Sequence, residues 1–411
     1  MAFGLLNSSS VIVPTKCDLL SFTTRQFSGT KAGVANLKVM NTKALAPVMA
    51  WFVAVIVLAV TAQPRWFVIH AFTLGAVTTS IVYWSQHWTD KFMACKTDAV
   101  PRVLVLNAFI ALMFVGQAVE LFALFCAGAA GAVGVLLYHG WRLAWQYRPG
   151  RRFSSSVLGY VIAATCFVVG AAAGVLERMD VHVAFMVLGF VGITALSTLA
   201  LMLPMVWRTQ MKSSRIEAAI ALLTAGVVLV PFSVVGLVVY VLGWLWACVG
   251  WAREIATVLR DPRDRVGYAA LTMALSILWL IGGLVTYAFS GVAPTEALVI
   301  GFIGQLLIGA MSFLLPSRMG GGPGAVRAGM YAHNRGAYYR VVLTNLGLLA
   351  GFPVLAVATL AMFLPAQFVS RREQQAVISG EAEKPGLARY NPWWQVAGGV
   401  LTVVAVWALT L

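Results

Sequence analysis

The run GFVGITALSTLALMLP, from Gly189 to Pro204, returns 112 residues later as GFIGQLLIGAMSFLLP, from Gly301 to Pro316. In both copies the glycine and the proline stand 15 residues apart, and the residues between are apolar or small. A further 114 residues upstream, HAFTLGAVTTSIVYWSQHW places Gly75 in a similar setting. Gly140-Trp141 followed by Gly159-Tyr160 is echoed by Gly250-Trp251 followed by Gly267-Tyr268, and RVLVLN at Arg102–Asn107 returns as RVVLTN at Arg340–Asn345. A period near 112 in a chain of 411 residues predicts one structural unit used three times.

The composition says what that unit is made of. Hydrophobic residues make up 60% of the chain and charged residues 10%, against about 45–50% and 25% in a soluble domain. This is the composition of an integral membrane protein. Apolar runs of the length needed to cross about 30 Å of hydrocarbon fall near 44–62, 66–88, 101–118, 120–141, 155–176, 181–207, 216–232, 234–253, 267–289, 296–316, 337–363 and 393–411. The uncharged break at Pro231–Ser233 reads as a tight helical hairpin. Twelve helices at this period predict an all-α fold of three pseudo-symmetric four-helix repeats, 44–152, 153–265 and 266–411, behind an N-terminal tail at 1–43. Four helices return the chain to its starting side, so the repeats should be parallel and related by an axis along the membrane normal.

Lys and Arg are retained on the cytoplasmic side of short loops. With the N-terminus inside, the twelve-span reading puts 23 of the 29 basic residues on the inner face and six outside, four of those in a last outer loop from Ala366 to Asn391. Both termini are then cytoplasmic, in the cell membrane. The net charge of +15 is accounted for by topology, which excludes nucleic acid as the partner it would suggest in a soluble protein. The lipid bilayer takes that place.

Most small and soft residues read as packing. Gly128, Gly131, Gly134, Gly170 and Gly174 allow close helix approach in lipid. Five scattered cysteines form no C-x-x-C pair and read as small buried hydrophobes. The GGGPG run from Gly320 lacks the Lys-Ser/Thr of a phosphate loop and reads as a turn.

Few polar residues remain to carry chemistry. His70 and His182 stand near the outer starts of the second and sixth helices, and Glu296 opens the tenth. His70 and Glu296 each lie five residues before the repeat glycine, and His182 lies seven before it. Two imidazoles and a carboxylate at one outer depth are a ligand set suited to haem iron or copper. A ligating histidine passes its second ring hydrogen to a carboxylate or a carbonyl, and Asp180, Glu177 and Glu296 are the nearest candidates by sequence. Met179 and Met186 add soft thioethers near His182. His87, His139 and His333 belong to the inner face and read as solvated or hydrogen-bonded residues at loop edges.

At these residues the chain resembles a known family. His70, Gly75, Trp84-Ser85 and His87, the run from His182 to LPMVWRTQM, GFIGQLLIGAMSFLLP, and the GGGP loop followed by Arg340 and Asn345 resemble the membrane moiety of actinobacterial copper oxidase or copper-containing nitrite reductase-like proteins. More distantly they resemble NnrS-type haem–copper membrane proteins and the catalytic subunit of haem–copper oxidases, itself twelve helices in three arcs of four. The likeness spans about Trp66 to Met362. It implies redox or haem/copper handling tied to nitrite, nitric oxide or copper, and a cupredoxin domain or other redox partner. The chain departs from the oxidases in its tenth helix, where Gln305 is the mid-helix polar group in place of their histidine pair. A secondary transporter is the competing class, since twelve helices with internal repeats are common there.

Overall fold

The computed structural model describes residues 45–209, 216–260, 266–386 and 392–410. The predicted tail at 1–43 lies outside the described residues. Among those residues the chain is helical with no strand, and nine helices are long and apolar enough to cross a membrane. We number the helices α1 (Ala46–Val60), α2 (Arg65–Met93), α3 (Val100–Ala118), α4 (Phe122–Gln146), α5 (Ser154–Val175), α6 (Met179–Trp207), α7 (Ile216–Leu229), α8 (Val234–Arg260), α9 (Tyr268–Ser290), α10 (Ala297–Met319), α11 (Gly322–Asn334), α12 (Ala337–Leu349), α13 (Pro353–Ala361), α14 (Phe363–Ser379) and α15 (Trp393–Ala408). The hairpin expected at Pro231–Ser233 is present, between α7 and α8.

Helices α6, α10 and α2 are the most buried of the long apolar helices, at 83%, 67% and 56%, with α5 next at 50%. These are the three that carry the repeat glycines. Each contains a stretch of wider, π-helical turns, at Ala71–Thr78, Ala184–Ile193 and Ala297–Gly304, whose starts are 113 residues apart. Such turns are rare and cluster at functional positions. The repeat glycine lies inside each one because a neighbouring side chain needs the room. A Cβ on Gly75 would meet the Trp51 ring at 2.4 Å, on Gly189 the Cys166 side chain at 2.7 Å, and on Gly301 the Trp279 ring at 2.6 Å.

The last third departs from the expected plan. Residues 337–363 are not one span: α12 ends at Leu349, Gly351 takes a φ of +79°, and Pro353 opens α13. The left-handed glycine ends one helix and the proline, whose missing N–H costs nothing in a first turn, starts the next. Helices α13 and α14 form one apolar stretch from Pro353 to Ser379. It brings the chain back to the end of the bundle where α10 finishes: Gln374 Nε2 donates to the carbonyls of Pro316 (2.9 Å) and Gly320 (2.8 Å), Tyr331 reaches Gly386 O (2.8 Å), and Lys384 lies against Gly324. The segment from Ala366 to Gly386 therefore shares that end rather than the opposite one. Helix α15 then runs parallel to α12, with Gln395 at Tyr338 N (3.1 Å) and Thr402 at Tyr339 (3.1 Å).

Candidate functional site

Helices α2 and α6 bring His70 and His182 together. Their ring centroids lie 6.4 Å apart with an interplanar angle of 30°. Each ring spends Nδ1 on a backbone carbonyl, His70 on Trp66 O at 2.9 Å and His182 on Gly170 O at 2.8 Å. A carbonyl only accepts, so each Nδ1 carries a hydrogen, and in the neutral form of either ring the lone pair lies on Nε2. His70 is further held by Trp66, whose ring stacks on it at 4.3 Å and 20°. His182 fits against α5 because Gly174 has no side chain; a Cβ there would be 2.6 Å from Nδ1. The second-nitrogen partners are thus carbonyls and not the acids Asp180, Glu177 or Glu296.

Glu296 stands at the same end with a different task. Its carboxylate is bound by Arg65 at 3.0 Å, and both side chains are exposed. Asp180 likewise pairs with Arg178 at 3.4 Å. Among the described residues no three of His, Cys, Asp and Glu group closely enough to hold a metal ion. His70 and His182 therefore stand as a pair, without a third ligating side chain among the described residues.

The inner histidines sit in built environments. His139 is buried: Arg102 Nη1 donates to its Nδ1 at 2.9 Å, which puts the ring hydrogen on Nε2, facing Ser85 Oγ at 2.9 Å. Arg102 Nη2 donates to Gln86 Oε1 at 2.7 Å, while Gln86 Nε2 donates to Asp90 Oδ1 at 2.6 Å and Gln146 Oε1 at 2.8 Å. This chain ties α2, α3 and α4 at the inner end, and each of these donors meets an acceptor.

His333, on α11 outside the spans, is also buried and hydrogen-bonded through Nε2 to Gln367 Oε1 at 2.9 Å. Burial pushes its pKa from 6.5 down to about 4, opposed by the Gln367 bond and helped by the Arg340 charge. Arg340, the counterpart of Arg102 in the repeated RV motif, donates Nη2 to His333 O and lies 3.9 Å over the Tyr268 ring. The solvated reading of His139 and His333 is corrected by their burial, and the hydrogen-bonded one stands. His87 meets Trp84 and Trp88 edge-on.

Sequence reasoning missed a pair of polar locks. Trp51 Nε1 donates to Asn107 Oδ1 at 2.6 Å, and Trp279 Nε1 donates to Asn345 Oδ1 at 2.6 Å. Thr79 joins the first at 3.3 Å and Gln305 the second at 3.1 Å. The signal was the asparagine repeated at the end of RVLVLN and RVVLTN, with Trp51 standing 24 residues before Gly75 and Trp279 22 residues before Gly301.

No protein-family model matches the chain, and no curated protein does. What the fold establishes is a helical protein with several helices apolar and long enough to make it multi-pass in a membrane.

Proposed function

We propose that this is a membrane-embedded haem- or copper-handling protein, tied to nitrite, nitric oxide or copper chemistry, with His70 and His182 as its ligand pair. The observation that carries the reading is the facing pair of imidazoles with both Nδ1 hydrogens committed to carbonyls. That commitment fixes the tautomer that leaves Nε2 for a metal. At 6.4 Å between ring centroids, the two imidazoles would be within reach of a single ion. A haem or copper ion held there would supply one-electron chemistry. The chain's own residues would set ring orientation through Trp66 O and Gly170 O, and Trp66 would cover one face of His70.

The proposal includes the architecture around the pair. Three four-helix repeats would place α2, α6 and α10 about a central axis, a reading supported by the three π-helical stretches at equal spacing and by the burial of these helices. In the cell membrane with the N-terminus inside, the return of α14 to the end where α10 finishes would move Arg371, Arg372 and Lys384 from the expected outer loop to the cytoplasmic face, in line with retention of basic residues there. The end of α15 would then lie on the outer face. A cupredoxin domain or other redox partner would dock near the outer pair.

The visible spectrum and metal content of the purified protein test the reading. A Soret band or stoichiometric copper, lost in His70→Ala and His182→Ala, is expected. Protein carrying neither refutes it, and the secondary-transporter class then takes its place.

A further inference from the structure

Helix α4 and the turn that follows it carry a surface that the rest of the bundle leaves uncovered. Tyr138, Trp141 and Trp145 lie along one side of α4 near its inner end, with ring centroids 5.7 Å and 6.1 Å apart in succession. All three are exposed, Trp145 at 68%. Among the described residues no hydrogen bond engages the Tyr138 hydroxyl or either indole N–H.

Beyond this ladder the charge is of one sign. Arg142, Arg148, Arg151 and Arg152 fall within 11 residues, and no acid stands between Glu120 and Glu177 in the chain. Arg148 Nη1 donates to the carbonyls of Trp145 and Tyr147 at 3.0 Å, which holds its charge beside the last ring. Arg152 stands over the Phe153 ring at 4.8 Å. Among the described residues none of the four is in an ion pair. Glu217 reaches this turn from α7 but accepts from Ser155 Oγ at 2.7 Å.

The echoed sequence at the end of α8 has neither feature. With Gly140 set on Gly250, Tyr138 corresponds to Cys248 and Trp145 to Ile255, and Trp251, which corresponds to Trp141, is buried. Glu254 also stands between Arg253 and Arg260 there. Stacked outward rings followed by unpaired arginines are therefore particular to α4 and not a demand of the repeat.

We infer that the inner end of α4 and the turn to α5 bind one anionic phospholipid, its phosphate against Arg148, Arg151 and Arg152 and its upper acyl chain along the aromatic ladder. The rings span about 10 Å of helix, a depth that reaches from the headgroups into the first part of the hydrocarbon. Indole and phenol suit that boundary because their bodies are apolar and their N–H and O–H groups can meet ester oxygens. The guanidinium fork matches phosphate oxygens, and its attraction to an anionic headgroup is strongest at the membrane surface. A free phosphate would leave the ladder unused. The site lies at the opposite end of the bundle from His70 and His182 and stands independently of them.

Native mass spectrometry of the full chain in detergent, titrated with phosphatidylglycerol and with phosphatidylcholine, tests it. One phosphatidylglycerol should bind about tenfold more tightly than phosphatidylcholine. R148Q/R151Q/R152Q should abolish that preference, whereas W141L/W145L should weaken both lipids. R253Q/R260Q, which takes two arginines from the end of α8, should change neither. All of these side chains are exposed, so the variants keep the fold. Excess inorganic phosphate should leave the bound lipid in place. Equal affinity for the two lipids, a preference that survives R148Q/R151Q/R152Q, an equal loss in R253Q/R260Q, or displacement by inorganic phosphate overturns the inference.

Discussion

Asn345→Val should cost far more than the one side chain it changes. Asn345 Oδ1 accepts from Trp279 Nε1 at 2.6 Å and from Gln305 Nε2 at 3.1 Å, while its Nδ2 donates to Gln305 Oε1 at 3.1 Å and to Val341 O at 2.7 Å. Valine removes the acceptor of the Trp279 N–H and the donor to Gln305 Oε1, while Gln305 Nε2 keeps Gly301 O at 3.1 Å. Two polar atoms are then stranded where water does not reach, at about 1–3 kcal/mol each. Counted instead as three interhelical hydrogen bonds at about 0.6 kcal/mol each in a membrane, the loss is about 2 kcal/mol. We expect about 2–4 kcal/mol. Trp279→Phe alone should cost about 1 kcal/mol, because Asn345 retains Gln305. The triple variant W279F/Q305L/N345V, in which no polar partner is left behind, should return to within about 1.5 kcal/mol of wild type. Reversible unfolding in mixed micelles of increasing SDS fraction measures all three. Additive costs, with the triple variant the least stable, would refute the view that the lock works as one unit.

Other perturbations read different parts of the structure. His70→Ala and His182→Ala should each abolish a Soret band or bound copper while the protein still inserts and elutes as wild type. Because the His333 pKa is depressed to about 4, the folded state resists its protonation; stability is full above pH 6.5 and is lost as pH falls through that window to about 4. The total loss is about 3 kcal/mol, and His333→Gln should flatten the pH dependence of unfolding between those limits. Single cysteines at Arg151 and Ser379 should be labelled from one side of the membrane and a cysteine at Ser290 from the other; labelling of Ser379 together with Ser290 would undo the return of α14.

What the sequence made legible is tied to signals that physics writes locally. Apolar length placed most helices, and the Gly-to-Pro repeat singled out α2, α6 and α10, which are the most buried of the long helices. The break at Ala350–Phe352 escaped because TNLGLLAGFPVLAVATLAMF is apolar on both sides of it, so hydropathy sees one run. The local signal was Gly351 followed two residues later by Pro353, a stop and a start. Four basic residues in a supposed outer loop pointed the same way, since retention favours the opposite side. Burial of His139 was invisible for another reason. Its partners Arg102 and Ser85 come from helices 37 and 54 residues away, and no spacing within one helix records such a meeting.

The three helices that carry the repeat glycines differ in how those glycines are braced. In the first and last copies a tryptophan–asparagine lock braces the repeat glycine, with Thr79 or Gln305 four residues after it. In the middle copy Cys166 fills the tryptophan's place and Ile193 stands four residues after Gly189, so both polar ends are gone together. That is the outcome expected when half a buried polar pair costs more than none. The middle histidine is accordingly held by other means. His70 is oriented by the carbonyl of its own preceding turn, whereas His182 leans on the Gly170 carbonyl of α5 and the gap left by Gly174. The third copy offers Glu296 at the matching place, and Arg65 of α2 already neutralises it. This end of the bundle thus brings together two imidazoles and one closed ion pair, with no third ligating side chain among the described residues.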